Sequence, residues 1–394
     1  MRDLIIKNAT VVLPQEVLKN TDVLIENGKI KALGVGLVAA ENTPLLDAAG
    51  DYLFPGFIDL HVHGGGGADF MDATVEAFET AVKTHLAHGT TLLYPTAMAA
   101  SHEALCDFLD AYHEFQSQSP LAPLAPGVHF EGPYFFGAAQ ASRGAQNVSV
   151  LREPDMAEAR TLLARAKGAL LRWDIAPELA GANELATYLK EQGVVVSAAH
   201  TDATASEAAA GFAAGFSHVT HFYNATSMHR KREQTVYAGV VEATYLDDSV
   251  TVELIGDGCH IPREDVYLAL KIKGAEKVSV ITDGMRISGT DLQGGKLGSL
   301  RDGTDVIVED GVAKLPSRVS FAGSIATMDR CLFVLCEKYE IDLPTASVLL
   351  SLAPALRMGV ENSKGSIAEG KDADLVLVGA DFAVKRVILN GEPI

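Results

Sequence analysis

The chain alternates between short apolar runs that end in polar residues and longer segments with helical spacing. The apolar runs are eight in number, and they cover Phe54–His63, Thr90–Thr96, Val128–Glu131, Leu170–Glu178, Val194–His200, His218–Asn224, Val250–Asp257 and Lys277–Asp283. Helical patterns lie between many of them, including Val75–His88, His102–Phe115, Met156–Ala166 and Ala203–Ala214. Eight strand–helix alternations over roughly 300 residues predict an α/β protein built on a TIM-like (β/α)8 barrel.

The two ends of the chain have a different pattern. Short alternating strands flank an Asn27-Gly28 pair near the start and precede an Asn390-Gly391 pair near the end, and such pairs are strong hairpin signals. We therefore expect a small β-sandwich domain built from residues 1–53 and 363–394, around a catalytic barrel of residues 54–362. A doubly wound open sheet is the alternative, but no Gly-x-Gly-x-x-Gly follows the first strand, as the dinucleotide-binding version requires.

Composition excludes several classes of partner. A formal net charge of −19 over 394 residues argues against nucleic acid, because phosphate backbones are bound by basic surfaces. No apolar run approaches the roughly 18 residues of a membrane helix. The four cysteines form no Cys-x-x-Cys pair, which favours free thiols in a reducing compartment. We expect a cytoplasmic protein that acts on a small molecule.

Six residues at predicted strand ends could bind metal. The first barrel strand ends in His61 and His63, and alternation along a strand points both imidazoles the same way. The others are Glu131, His200, His221 and Asp283, which end predicted strands 3, 5, 6 and 8. Active sites of such barrels lie at the carboxyl ends of the strands. The set predicts a binuclear site for zinc or a similar divalent ion.

The remaining histidines of the predicted barrel strands have a structural interpretation. His129 faces inward beside Glu131, where it could support a metal ligand, and His218 lies in the middle of its run. Buried histidines at such positions are more often structural residues than ligands. We interpret both as core residues.

The run FPGFIDLHVH at residues 54–63 resembles the first barrel strand of the amidohydrolase superfamily. Most of the chain resembles one branch of it, the N-acetylglucosamine-6-phosphate deacetylase family. The segments that carry this resemblance are HFEGP (129–133), SAAHT (197–201), THFYNA (220–225), GDGCH (256–260), ITDG (281–284) and AGS (322–324).

The resemblance implies metal ligation by Glu131, His200 and His221, with Asp283 as the catalytic carboxylate. His61 and His63 are both present, so a second ion bridged by Glu131 is also expected. The expected ions are zinc, with iron or another divalent metal as alternatives. The fourth run contains no lysine, which counts against branches that bridge their metals with a carbamylated lysine.

The resemblance also implies a phosphorylated amino sugar as substrate, bound through Asn224, Ala225, Arg232 and His260. Gln146 stands where the family often has a histidine that contacts the acetamide carbonyl, and a glutamine there cannot carry charge. That difference leaves the sugar epimer and the acyl group open. The family also implies a homodimer in which a neighbouring subunit could complete the phosphate site.

The expected activity is hydrolysis of the acetamide of an N-acetylhexosamine 6-phosphate, with the gluco epimer as first choice. The alternatives are an N-acetylgalactosamine-6-phosphate deacetylase or another N-acyl amidohydrolase of the superfamily. A barrel that has lost catalysis is a third reading, but all six metal-site residues are present, which disfavours it.

Overall fold

Eight parallel strands form the barrel of this computed structural model, which describes residues 2–394 apart from the side chain of Arg232. Each strand pairs with the next one along the chain, and a parallel bridge from Val62 to Gly284 joins the two ends of the row. In chain order, barrel strands 1 to 8 are Phe57–Val62, Thr90–Ala97, Val128–Glu131, Leu170–Ile175, Val195–Ala198, Phe216–Val219, Thr251–Ile255 and Val278–Ile281. All eight predicted strands and the (β/α)8 barrel are confirmed.

The first predicted run is divided at Gly56. Phe57–Val62 belongs to the barrel, whereas Tyr52–Pro55 pairs with a strand from the other end of the chain. A Cβ atom on Gly56 would lie 2.0 Å from Thr91 Oγ1, so only glycine fits between the strands here. We predicted one run over Phe54–His63, although the Pro55-Gly56 pair within it is a common turn signal and marks this break.

Strands from both termini form a second sheet of eight strands, the terminal sheet. Its strands are Leu4–Val12, Val17–Glu26, Lys29–Gly34, Leu45–Asp47, Tyr52–Pro55, Leu375–Val378, Val384–Leu389 and Glu392–Pro393. Both Asn-Gly pairs turn hairpins, and all four of their residues have positive φ, from 49° at Asn390 to 81° at Gly391. The small β domain built from both termini is therefore confirmed.

The terminal sheet packs on its own core with one face and on the barrel with the other. Leu375 and Leu377 join an apolar cluster of the terminal sheet, whereas Val376 and Val378 between them join the large barrel cluster. This alternation follows from the period of two in a β-strand. The barrel is thereby attached to the sheet that contains both chain ends.

Helices cover the outside of the barrel, and side-chain caps begin several of them. Thr74, Ser101, Asp155 and Thr204 each accept a backbone N–H of the first helical turn, which offsets the unpaired donors at a helix start. The helices are Val75–Ala87, His102–Gln118, Gln140–Arg143, Met156–Ala166, Ala182–Glu191, Ala205–Ala214, Val240–Leu246, Arg263–Lys273, Met328–Phe333, Leu343–Ser347 and Ala353–Met358.

Three small sheets stand outside the barrel and the terminal sheet. They are Gly64–Gly65 with Ala68–Asp69, Arg230–Arg232 with Thr235–Tyr237, and a three-stranded sheet of Gly294–Leu297, Thr304–Glu309 and Val312–Lys314. None of the helices in residues 2–394 combines the length and apolar character that crossing a bilayer requires.

His85, on the first helix, fixes the backbone immediately after the first barrel strand. Its Nε2 lies 2.9 Å from the carbonyl oxygen of Gly64, and its side chain is fully buried. Burial lowers the pKa of His85 to about 4, although the contact with Gly64 acts in the opposite direction. The folded protein thus keeps this imidazole neutral at pH values where an exposed histidine is charged.

The low pKa of His85 predicts a loss of stability in mild acid. Below the unfolded-state pKa of about 6.5, the unfolded chain binds a proton at this site that the folded chain does not. The free energy of unfolding therefore falls as the pH drops from about 6.5 towards 4, by about 2 kcal/mol at pH 5. This contribution should be absent in His85→Gln, whose amide can still donate to Gly64.

The check is urea unfolding of wild type and His85→Gln at pH 7.5 and pH 5.0. Wild type should lose more stability between the two pH values than the variant does. Contributions from the other buried histidines are common to both proteins and cancel in the comparison. An equal loss in the two proteins contradicts the prediction.

Candidate active site

The six predicted metal-site residues converge at the carboxyl-terminal rim of the barrel. All are buried, and five of them line a cavity of about 140 Å³, while His61 lies beneath it. Within these six residues, two sets of three ligand atoms lie close enough to hold an ion, namely His61, His63 and Glu131, and Glu131, His200 and His221. Glu131 belongs to both sets, as expected for a carboxylate between two metal positions. A third set, below them, consists of His61 with His129 and Asp174.

The ring orientations of His200 and His221 favour a cation between them and Glu131. The Nδ1 atom of His200 lies 2.9 Å from the Ser142 carbonyl and that of His221 lies 3.0 Å from the Asn224 carbonyl. A carbonyl only accepts, so Nδ1 carries the proton in both rings and Nε2 presents a lone pair when the ring is neutral.

These lone pairs meet one another at short range. The two Nε2 atoms are 3.2 Å apart, and they lie 2.9 Å (His200) and 3.2 Å (His221) from Oε1 of Glu131. Three acceptors repel at such distances unless a proton or a metal ion neutralises them. Two imidazoles and a carboxylate are a donor set that zinc and similar divalent ions accept.

The second set lies on the other side of Glu131. The Nε2 atoms of His61 and His63 are 3.2 Å apart, which confirms that alternation points both rings the same way. Oδ1 of Asp283 is 3.6 Å from His61 Nε2 and 3.3 Å from His63 Nε2, and Glu131 Oε2 is 3.4 Å from His63 Nε2. Asp283 thus faces the point where the two histidines meet.

The carboxylates make this rim favourable for positive charge. Burial acts to lower the pKa of His63, but the contact with Asp283 and the charge of Glu131 raise it to about 9. The pKa of His221 is likewise raised to about 9, against burial, mainly by Glu131. Burial acts to raise the pKa of Asp283, but the contact with His63 and the charges of His61 and His63 keep that pKa below its ordinary value. Cations are therefore stabilised here without a basic surface.

Three of these residues have a backbone conformation that is rare outside glycine. The φ angles of His200, His221 and Asp283 are 45°, 30° and 47°. A non-glycine residue in this region costs of order 1–3 kcal/mol, and such residues cluster at functional sites. Each of these strands ends two residues before its ligand, at Ala198, Val219 and Ile281, and the three ligand side chains line the cavity. No sequence pattern predicted this feature.

A buried ionic network lies beneath the histidines, and the sequence analysis did not identify it. Oε1 of Glu253 lies 3.0 Å from His61 Nδ1, and both of its oxygens accept from the guanidinium of Arg172, at 2.5 and 2.8 Å. Arg172 also donates to Asp174 at 3.2 Å. Both Glu253 and Arg172 lie inside the barrel, with side chains no more than 1% exposed. The sequence signal for this network was the presence of charged residues within two barrel strands, namely Arg172 and Asp174 in strand 4 and Glu253 in strand 7.

The two histidines assigned to the core belong to this layer. His218 Nε2 lies 3.3 Å from Glu253 Oε2, and His129 Nε2 lies 2.9 Å from Asp174 Oδ2. Burial first, and then the charge of Arg172, lower the pKa of His129 to about 3, so that its ring is neutral. Both rings lie in the buried layer beneath the ligands, in contact with its carboxylates.

The predicted substrate residues line the same cavity as far as the structure describes them. Gln146, Asn224, Ala225 and His260 all contribute to it, whereas the side chain of Arg232 lies outside the described part. Gln146 donates to Oε2 of Glu131 at 2.8 Å. Nδ1 of His260 lies 2.7 Å from Asp257 Oδ2, which turns the other edge of the ring away from this carboxylate.

Unpaired polar atoms mark where a ligand would bind. Gln146 Oε1 and Asn224 Nδ2 are buried and have no hydrogen-bond partner among the residues that the structure describes. Buried polar groups are nearly always paired in folded proteins. A bound ligand could supply the hydrogen-bond partners of these two atoms.

A family model described as "Amidohydrolase family" matches residues 52–394. The chain belongs to the amidohydrolase family. It is 32% identical to an N-acetylglucosamine-6-phosphate deacetylase of Bacillus subtilis, over 98% of this chain and 96% of the relative. It is 29% identical to an N-acetylgalactosamine-6-phosphate deacetylase of Escherichia coli O157:H7, with 87% of each chain covered.

The fold of this amidohydrolase agrees with a solved relative over nearly its full length. A mutant of the N-acetyl-D-glucosamine-6-phosphate deacetylase from Mycobacterium smegmatis, in complex with N-acetyl-D-glucosamine-6-phosphate, superimposes with a TM-score of 0.89 at 30% identity. The match covers 99% of each chain. The resemblance inferred from the sequence motifs is thereby confirmed.

The network beneath the histidines predicts that Glu253 controls metal binding at His61. In Glu253→Gln, the amide replaces an acceptor that orients the His61 ring, and loss of such a partner typically lowers metal affinity 10–100-fold. We expect zinc binding at the His61–His63 set to weaken by this factor, and binding at the Glu131–His200–His221 set to be retained.

Zinc titration against a competing chelator measures both affinities. Glu158→Gln is the matched control, since it removes a carboxylate that pairs with Arg152 at 2.6 Å away from the rim. Circular dichroism verifies that both variants fold. Wild-type affinity and stoichiometry in Glu253→Gln contradict the assignment.

Proposed function

We propose that this amidohydrolase is a metal-dependent deacetylase that hydrolyses the acetamide of an N-acetylhexosamine 6-phosphate. The products are acetate and the amino-sugar 6-phosphate, and N-acetyl-D-glucosamine 6-phosphate is the substrate we propose. The observation that carries the proposal is the meeting of Glu131, His200 and His221, whose acceptor atoms approach within 3.2 Å of one another with Asp283 beside them.

The metal ligands in this proposal are the six converging residues. Glu131, His200 and His221 would hold one ion, and His61 and His63 a second that shares Glu131, with Asp283 facing both sets. When bound, a divalent ion acts as a Lewis acid on the carbonyl oxygen and lowers the pKa of water from 15.7 to about 7. Zinc is the proposed ion, because imidazole nitrogens and carboxylate oxygens suit it.

Asp283 moves the proton in both halves of the reaction. Its pKa stays below the ordinary value despite burial, so at neutral pH it is a carboxylate and can take a proton from the attacking water. Addition of that water to the amide carbonyl gives a tetrahedral intermediate. Asp283 then returns the proton to the sugar nitrogen as the C–N bond breaks, acting as general base and then as general acid.

Gln146 assists in this proposal through its amide. Its Nε2 holds Oε2 of Glu131 at 2.8 Å, which fixes the carboxylate shared by the two metal positions. A glutamine amide can also donate to the oxygen that gains charge when water adds. We propose both roles, and they require no charge on the side chain.

The phosphate is bound at the end of the cavity formed by the segments after barrel strands 6 and 7. Asn224 Nδ2 is buried and has no partner within the described part of the chain, and Asp257 orients the ring of His260. Ala225 offers its backbone, and Arg232 follows within the same segment as the guanidinium of the site. Binding energy from the phosphate then holds the amide in place for attack.

The galacto epimer is the alternative substrate, and it is supported by the similarity to the E. coli relative and by Gln146. An N-acyl amidohydrolase of another specificity is a further alternative. The homodimer, the cytoplasmic location and the division into residues 1–53 with 363–394 and residues 54–362 belong to the same proposal.

Replacing the proton carrier should abolish turnover. Asp283→Asn keeps the shape but cannot accept a proton, and general acid–base catalysis contributes 10²–10⁴-fold. We therefore expect kcat to fall at least about 100-fold, with zinc still bound through Glu131, His200 and His221. Asp329→Asn is a control, because Asp329 pairs with His88 at 2.8 Å and does not line the cavity. Near-wild-type turnover of Asp283→Asn rules out the assignment.

The substrate is tested by acetate release from four sugars. These are N-acetylglucosamine 6-phosphate, its galacto epimer, and the two unphosphorylated sugars. We expect kcat/KM to be highest for the gluco phosphate and to fall at least about 100-fold without the phosphate, because two or more charge-assisted hydrogen bonds are lost. Equal rates with and without phosphate contradict the role of Asn224, Arg232 and His260. No release from any of the four sugars contradicts the deacetylase proposal itself.

A further inference from the structure

A second and much larger space adjoins the catalytic cavity. We call it the wide cavity. It measures about 880 Å³, against about 140 Å³ for the catalytic cavity, and the two share only Met98 and Leu297 among their lining residues. These two side chains are buried, with exposures of 7% and 5%. They form a wall between the reacting centre and the wide cavity.

The wall stands opposite the end of the cavity assigned to phosphate. Met98 directly follows barrel strand 2, and Asn224 and Ala225 follow barrel strand 6. In a ring of eight strands taken in chain order, strands 2 and 6 face each other across the barrel. A substrate whose phosphate lies near Asn224 therefore has the other end of the molecule, beyond the amide, directed towards Met98.

The opposite end of the amide is its acyl group. The carbonyl carbon carries the sugar nitrogen on one side and the acyl chain on the other. Because the sugar and its phosphate occupy the strand 6 end, the acyl chain must point to the strand 2 end. The catalytic cavity measures only about 140 Å³ and Met98 and Leu297 line it, so a longer acyl chain that points this way approaches these two side chains.

We propose that Met98 and Leu297 determine which acyl group the enzyme removes, by closing the catalytic cavity against the wide cavity. This inference rests on the proposed function and names the acyl side of that site. Removal of either side chain joins the two spaces, and the site then accepts longer neutral acyl chains.

The backbone behind the wall is held in place. Gly298, which follows Leu297, donates to Oδ2 of Asp69 at 3.1 Å and accepts from Arg286 at 2.8 Å. A Cβ atom on Gly298 would lie 2.6 Å from the sulfur of Met98, so the methionine packs directly against this glycine. Because the backbone at Gly298 is fixed in this way, Leu297 and Met98 cannot move aside for a longer acyl chain unless these contacts are lost.

The lining of the wide cavity indicates which acyl chains it would take. Ala99, Ala100, Ala104 and Val150 give it an apolar part. Elsewhere in the lining five carboxylates outnumber the guanidinium of Arg301, and they are Asp72, Asp107, Asp110, Glu114 and Asp302. Neutral alkyl chains can bury against the apolar part. An acyl chain that ends in a carboxylate would meet like charges.

The expected selectivity of the wild-type enzyme follows from the size of the wall. One extra methylene that does not fit a pocket lowers kcat/KM by roughly 10–200-fold. Wild type should therefore prefer the N-acetyl over the N-butyryl substrate by at least about tenfold. Each reaction adds one water across the C–N bond and releases the carboxylate and the amino-sugar phosphate.

The test compares N-acetyl, N-butyryl, N-hexanoyl and N-succinyl glucosamine 6-phosphate on the zinc-loaded enzyme, with amine release as the readout. The wall variants are Met98→Ala and Leu297→Ala. Met71→Ala is the matched control, since Met71 lines the wide cavity but not the catalytic one. In the Met98→Ala background, Ala104→Trp fills the wide cavity from its far side.

The ratio of kcat/KM for butyryl over acetyl should rise at least tenfold in each wall variant and stay unchanged in Met71→Ala. Hexanoyl should gain as well, succinyl should not, and Ala104→Trp should remove the hexanoyl gain while sparing acetyl. Using two wall variants protects the test against a folding defect in one of them.

Two results overturn the inference. A wild type that cleaves butyryl as fast as acetyl has no such wall, and wall variants whose ratio stays within twofold of wild type place the acyl chain elsewhere. Failure of the proposed function is distinct, because wild type would then release no amine from the N-acetyl substrate or any other.

Discussion

The active site depends on a buried guanidinium that allows carboxylates to stay charged inside the barrel. Arg172 is almost fully buried, and it donates to both oxygens of Glu253, to Asp174, and to the hydroxyl groups of Ser197 and Thr220. An unpaired charge at this depth would be strongly unfavourable. Paired in this way, Arg172 adds little to the free energy of unfolding compared with an apolar core. Its main effect is to hold the side chains around it in fixed positions.

The hydrogen bonds of this network, together with backbone carbonyls, also orient the histidine rings above it. Glu253 holds the Nδ1 edge of His61, so the Nε2 edge faces the rim, and carbonyl oxygens do the same for His200 and His221. The ring orientations are therefore set from below and from the side, independently of any ion. The ligand rings already point towards the metal positions, which reduces the conformational entropy that the side chains lose when a metal ion binds.

The positions of the ligands were predictable because they depend on two simple periodicities. In a parallel barrel the carboxyl ends of all strands lie at the same rim, so six polar residues at five predicted strand ends implied one site. Alternation then placed His61 and His63 on one face. Both arguments need only the chain order of strands and their ends, which an apolar pattern shows.

The supporting network was not predictable in the same way. Whether Arg172 or Glu253 faces inward depends on strand register, and the pairing of barrel strands 3 and 4 shifts between Val128 and His129. Such irregularities change which face a residue occupies, and nothing in the sequence marks them. The positive φ angles at His200 and Asp283 also depend on tertiary packing, because this conformation is uncommon for any residue other than glycine.

The division of charge over the molecule explains how so acidic a chain can bind an anionic sugar. With a formal net charge of −19, the long-range field repels phosphate, and screening limits that field to about 8 Å at physiological salt. Recognition must therefore be made at contact, and we propose Asn224, His260 and the backbone after strand 6 for it. The carboxylates at the rim have the opposite effect, because they stabilise positive charge beside the proposed position of the amide.

Across the barrel, the side chains of Met98 and Leu297 are uncharged, so the acyl side of the cavity is apolar. One cavity thus presents a cation-binding centre between a polar end and an apolar end, and an acyl amide of a phosphorylated sugar has these same three parts in the same order.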